Sequence, residues 1–121
     1  MELGYQSFLI HCFADYWLQN DWMALNKKKD FRIALLHSAI YTLPFLILTQ
    51  SILALFIIFI SHAIIDGTDL ICKLNQIKNW NFVHKSGYNE MERPQWIWVW
   101  LLIFQDNILH LIINYLSIKY L

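Results

Sequence analysis

An all-α integral membrane protein, a bundle of four transmembrane helices with both termini outside, is the fold this sequence predicts, on three observations. Hydrophobic residues make up 58 % of the 121 positions and charged residues 15 %, against roughly 45–50 % and 25 % in soluble domains. One domain of this length has too much surface for its volume to hide that much apolar side chain from water. The apolar residues also gather into four segments separated by polar stretches. Finally, eight of the nine Lys and Arg residues fall in just two of those stretches, the pattern of cytoplasmic loops.

The first segment, 3–19, is short and carries polar residues. The stretch "NDWMALNKKKDFR" follows, at 20–32, with Lys27, Lys28, Lys29 and Arg32. The second and third segments, 33–48 and 51–70, are separated only by "TQS", after Pro44. A single helix over 33–66 would be ~50 Å long against a ~30 Å hydrocarbon core, so a tight helical hairpin is predicted. Residues 71–95 form the second polar loop, with Lys73, Lys78, Lys85 and Arg93. The fourth segment, 96–118, opens on Trp96, Trp98 and Trp100, which read as an interfacial belt. Placing 20–32 and 71–95 in the cytoplasm puts the N- and C-termini outside, in an inner-membrane, multi-pass arrangement. The start "MELGYQS" has no basic region, which argues against a cleaved signal peptide. Cys12 and Cys72 have no disulfide spacing and read as reduced core residues. A formal charge of zero gives no reason to expect nucleic acid as a partner. Membrane lipids are the expected surroundings, and a homo-oligomer is left open.

The apolar segments carry a polar stripe. Residues four apart lie on one helix face, and the first segment has Ser7, His11, Asp15 and Gln19 at that spacing. The third has His62 and Asp66, and the fourth has Asp106, His110 and Asn114, with Gln105 beside them. The second adds His37, with Tyr41 one turn on. From the predicted cytoplasmic edges, Asp15, His37, Asp66 and Asp106 lie about 4–6 residues inside and His11, His62 and His110 about 8–10, a depth of about 6–15 Å. Charged groups at such depth are costly unless paired, so they face the bundle interior and mark function.

Imidazole with carboxylate is the donor set of Zn, Mn, Fe or Ni, and helical bundles build metal sites from such residues. The expected metal ligands are His11, Asp15, His62, Asp66, Asp106 and His110, with zinc as the first choice of divalent metal. Asp15, Asp66, Asp106 and His37 are the candidate catalytic groups, and Gln19, Gln105 and Asn114 would contact substrate or orient ligands. A bland reading is a structural hydrogen-bond network. His84, in a polar loop, reads as solvated, Tyr41 as packing, and the "KKK" run as ordinary cytoplasmic charge.

"HCFADYWLQNDWMALNK", "LLHSAIYTLPF", "SHAIID" and "FQDNILH", in this order, resemble a family of short bacterial and phage polytopic membrane proteins catalogued as a domain of unknown function. The resemblance covers nearly the whole chain. It implies that His11, Asp15, Gln19, His37, His62, Asp66, Asp106 and His110 are motif positions. One departure stands out: the amide expected directly after Asp106 is Asn107, and Gln105 precedes the acid. A looser likeness, of architecture alone, is to membrane-embedded metal hydrolases. The expected function is a membrane-embedded metal-binding protein, read as a metal-dependent hydrolase of a lipid or amphiphile reached from the inner leaflet. The alternatives are proton or divalent-ion transport and a non-enzymatic accessory role.

Overall fold

Residues 2–121 are described by a computed structural model. All regular elements among them are helical: α1 (Glu2–Cys12), a π-helical turn (Phe13–Trp17), α2 (Asp21–Asn26), α3 (Phe31–Thr42), a 3-10 turn (Leu43–Ile47), α4 (Ile52–Gly67), α5 (Leu70–Asn79) and α6 (Gln95–Tyr120). The all-α prediction holds. The four-span, N-out and C-out bundle does not.

Among the described residues, α6 alone is long and apolar enough to cross a membrane. Its 26 residues reach about 39 Å at 1.5 Å per residue. The other expected spans fail for separate local reasons. Residues 3–19 divide where the α-helix widens into the π turn, with Leu18 N–H donating to the Phe13 carbonyl at 3.2 Å. Residues 33–48 tighten into the 3-10 turn at Pro44, which lacks an N–H for the α-helical ladder. α4 ends after 16 residues, about 24 Å, because the chain breaks at Thr68 before α5. The two expected loops also carry helices, α2 and α5. With one candidate span, the distribution of cations no longer fixes an orientation for both termini.

Side-chain caps mark where several helices begin. Asn20 accepts from Met23 N–H at 2.9 Å, Asp30 from Arg32 N–H at 3.0 Å, and Ser51 from Ala54 N–H at 3.2 Å. The chain divides into two compact units, one running to Thr68 and including His110–Leu121, the other Asp69–Leu109. In the first unit α3 and α4 pack along their length, and the Ser38 hydroxyl donates across to the Phe59 carbonyl.

The interior of this first unit is polar and its exterior apolar. Ser7, His11, Asp15, His37, His62, Asp66, His110 and Asn114 are all buried, while Phe8, Phe13, Leu36, Leu46, Phe56, Ile64 and Ile112 are exposed. That inverts the usual distribution of a protein in water. The apolar core proper is small, comprising Ala14, Tyr41, Phe45 and Ile58.

In the second unit α5 closes on Trp80 in a left-handed conformation, φ 50°. Gly87, φ 78°, then brings the following loop onto α5, where a Cβ would lie 2.5 Å from backbone atoms of Asn75 and Gln76. Only glycine suits that approach. The Asn79 side chain donates to the Gly87 carbonyl at 3.0 Å.

Candidate metal centre

Four donor atoms from three separate stretches of the first unit meet. Asp15 comes from the π turn, His37 from α3, and His62 with Asp66 from one face of α4. Each offers one ligand atom, and the four atoms lie within 4.8 Å of one another. His62 Nε2 stands 3.0 Å from His37 Nε2 and 3.2 Å from Asp66 Oδ2. His37 Nε2 is 3.3 Å from Asp66 Oδ2 and 3.2 Å from Asp15 Oδ1, and His62 Nε2 is 3.8 Å from Asp15 Oδ1. A tetrahedral zinc with bonds of about 2.0–2.1 Å sets its ligand atoms about 3.3 Å apart. Four of the five spacings, at 3.0–3.3 Å, are close to such a tetrahedral edge, and the His62–Asp15 spacing of 3.8 Å is longer.

Local structure explains the convergence. π turns shift the register of a helix by one residue and recur at functional sites; here one aims Asp15 inward beneath His11. The i, i+4 spacing on α4 stacks His62 over Asp66. Tyr41, one turn beyond His37, lays its ring on His62 with centroids 3.6 Å apart and planes at 14°. This stacking sets the plane of the imidazole. The Nδ1 atoms of His37 and His62 are buried without a hydrogen-bond partner, so the outer hydrogen bond common on metal-bound histidines is replaced by packing.

A second layer surrounds the four. His110 Nε2 lies 3.0 Å from Asp66 Oδ1, the oxygen that faces away from His37 and His62. Asn114 Nδ2 donates to the Tyr41 hydroxyl at 2.6 Å. The hydroxyl is therefore free to donate to His11 Nδ1, also 2.6 Å away. That leaves the His11 Nε2–H turned toward Asp15 Oδ2, at 4.0 Å. A hydrogen-bonded chain of Asn114, Tyr41 and His11 thus ends beside the carboxylate.

Two lysines complete the first unit's site. Lys27 Nζ contacts Asp66 Oδ2 at 2.6 Å. Lys28 Nζ donates to the carbonyls of Asp66 and Thr68 at 3.1 and 2.9 Å, satisfying the open C-terminal carbonyls of α4.

The residues singled out in the sequence are therefore placed unequally. Asp15, His62 and Asp66 are donors, joined by His37. His11, His110 and Asn114 stand behind them. Gln19 is half-buried, and its Oε1 has no hydrogen-bond partner. Gln105 and Asp106 belong to the second unit, where Gln105 accepts from Asn75 and donates to the Tyr88 hydroxyl at 2.5 Å. Tyr41 and Lys27 were not anticipated as site residues. Cys12 and Cys72 are half-buried and are not joined in a disulfide.

Electrostatics within the group are opposed and resolved. Burial, the largest single influence, would raise Asp15, but its hydrogen bond with His37 and the charges of His62 and His110 together outweigh it and hold the carboxyl below its ordinary 3.8. Burial alone would lower His37; its hydrogen bonds with Asp15 and Asp66 outweigh it and hold the ring above its ordinary 6.5. His62, Asp66 and Lys27 also face this pair.

The linkage signs differ for the two groups. The contribution from Asp15 is present above pH 3.8 and lost as pH falls through the lowered value. The contribution from His37 is complete below pH 6.5 and lost as pH rises through the raised value. Metal-stripped protein should therefore melt at a progressively lower temperature as pH is raised above 6.5. A melting temperature that climbs over that range contradicts the ion pair.

Comparison with curated proteins and with solved structures finds no match. The residues of the centre all fall within one family match, and across residues 5–120 the chain belongs to the family described as proteins of unknown function, DUF3307.

Proposed function

We propose that the protein is a membrane-associated metalloprotein that holds one divalent ion, zinc for preference, between Asp15, His37, His62 and Asp66. The close approach of four buried donor atoms, all within 4.8 Å of one another, carries this reading. Three of them, on His37, His62 and Asp66, lie within 3.0–3.3 Å of one another and make a tight coordinating face. Asp15 is the looser fourth, 3.8 Å from His62. Catalytic zinc sites use three protein ligands and a water in the fourth position; Asp15, the loosest of the four, would yield its position to that water and stand beside it.

Bound there, the ion would lower the pKa of a coordinated water toward neutrality. Asp15 is placed to take the proton, and His11 and Tyr41 to hold the carboxylate in position. The reaction is hydrolysis of a lipid or amphiphile. The apolar exterior of the first unit and the length of α6 support a site working in a bilayer, the cell's inner membrane being the compartment proposed.

Elemental analysis of the full chain purified in detergent tests the metal. One equivalent is expected in the wild type and in His84→Ala, with less than about a tenth remaining in His62→Ala and Asp15→Asn. Metal-free wild type prepared without chelator, or unchanged content in His62→Ala, removes this reading.

A further inference from the structure

Among the described residues, Lys27 sets its ammonium directly on a carboxylate of the donor group. It lies just past the end of α2 and has 16 % of its side chain exposed. Its ammonium rests 2.6 Å from Asp66 Oδ2. That oxygen is the same one that stands 3.2 and 3.3 Å from the two imidazole Nε2 atoms. Any ion coordinated by His37 and His62 takes this oxygen, and the ammonium then loses the lone pair it now shares. Asp15 and Asp66 together carry two negative charges, which a divalent ion cancels. Lys27 is then a largely buried cation parted from its counter-charge on Asp66, which is costly in low dielectric. Lys28 cannot supply one; it adds a second ammonium, fixed on the Asp66 and Thr68 carbonyls.

We propose that Lys27, placed on the Asp66 oxygen that faces both imidazoles, holds an oxyanion of the phosphate class beside the bound ion. The proposal rests on the metal reading and gives it a substrate class, a phosphate ester. Lysine is a compact point charge suited to phosphate. The ester can come from a lipid headgroup or from a soluble molecule.

The experiment uses full-length protein in neutral detergent, loaded with zinc, and three chains: wild type, Lys27→Met and Lys27→Arg. Zinc content and affinity are measured first. Inorganic phosphate binding is then titrated by calorimetry, and dodecyl phosphate in the micelle is titrated in parallel. Lys27→Met is expected to keep its zinc with undiminished affinity, because a competitor for Asp66 is gone. Its phosphate affinity should fall at least about tenfold, the loss that follows from one charge-assisted hydrogen bond. Lys27→Arg should retain most of the affinity.

A stronger response to dodecyl phosphate than to inorganic phosphate assigns a lipid source, and the reverse a soluble one. Equal phosphate binding in wild type and Lys27→Met overturns the proposal and leaves the metal reading intact. Loss of zinc from Lys27→Met also overturns it, by making Lys27 structural. Absence of zinc from the wild type overturns both.

Discussion

Asp66→Asn will destabilise the metal-free protein by roughly 3–5 kcal/mol and lower its metal affinity at least about a hundredfold. Asp66 is 2 % exposed and meets four cationic or protonatable groups: Lys27 at 2.6 Å, His110 at 3.0 Å, His62 at 3.2 Å and His37 at 3.3 Å. Asparagine keeps the volume and removes the charge. The Lys27 ammonium then faces an amide, and the side chain presents N–H donors where two imidazoles and a lysine also donate. The loss is of the kind measured when one partner of a buried ion pair is removed, which exceeds the net worth of the pair because the other partner stays buried.

Asp69→Asn is the control. Asp69 is paired with Lys85 at 3.6 Å, but both side chains are largely exposed, at 44 % and 76 %, and such a pair is worth under about 1 kcal/mol. Thermal melting in detergent and a competitive zinc titration read both variants. Equal melting temperatures for Asp66→Asn and wild type contradict the buried network.

The polar centre was legible in the sequence because its members repeat at the period of an α-helix. Ser7, His11 and Asp15 are all buried, as are His62 with Asp66 and His110 with Asn114, so each stripe faces inward as its spacing predicts. What that period does not carry is the contact between helices. His37 stands alone in its segment, where it reads as an acid or an outer ligand; only the packing of α3 on α4 brings it to His62. Lys27 was indistinguishable from Lys28 and Lys29, because which ammonium reaches back 39 residues to Asp66 depends on the turn after α2. Tyr41 read as packing for the same reason: its two 2.6 Å hydrogen bonds reach residues 30 and 73 positions away.

The number of spans failed for a different cause. Apolar composition reports what the exterior is made of, and the exterior of the first unit is indeed apolar. It does not report whether a segment continues as one straight helix. The π turn at Phe13–Trp17, the 3-10 turn after Pro44 and the break at Thr68 each cut a segment short. Pro44 was visible as a weak point, but the widening at Asp15 leaves no mark in residue type.

Gly67→Ala, one methyl group placed beside the centre, is expected to cost roughly 1–3 kcal/mol and to weaken metal binding about 10–100-fold, the range seen when the support behind metal ligands is disturbed. Gly67 ends α4 directly after Asp66, where α3 passes close. A Cβ there would lie 2.8 Å from the Ala34 Cβ, and 2.8 and 3.0 Å from two ring atoms of Phe31. Phe31 is 43 % exposed and can swing its ring outward. Ala34 is fully buried and has no side-chain torsion to turn, so α3 itself must move away from α4. His37 follows Ala34 by three residues on α3, and its 3.0 and 3.3 Å approaches to His62 and Asp66 widen with it.

Gly4→Ala separates this wedge from the general effect of alanine. At that position, inside α1, a Cβ meets, among the described residues, the Tyr115 ring at 3.9 and 4.0 Å, an ordinary contact. The exchange should raise stability by about 0.5–1 kcal/mol through helix propensity and leave zinc affinity unchanged. If Gly67→Ala melts and binds zinc like Gly4→Ala, the approach of α3 to α4 at Ala34 is looser than described, and His37 is then held at the centre by its hydrogen bonds rather than by the packing of the two helices.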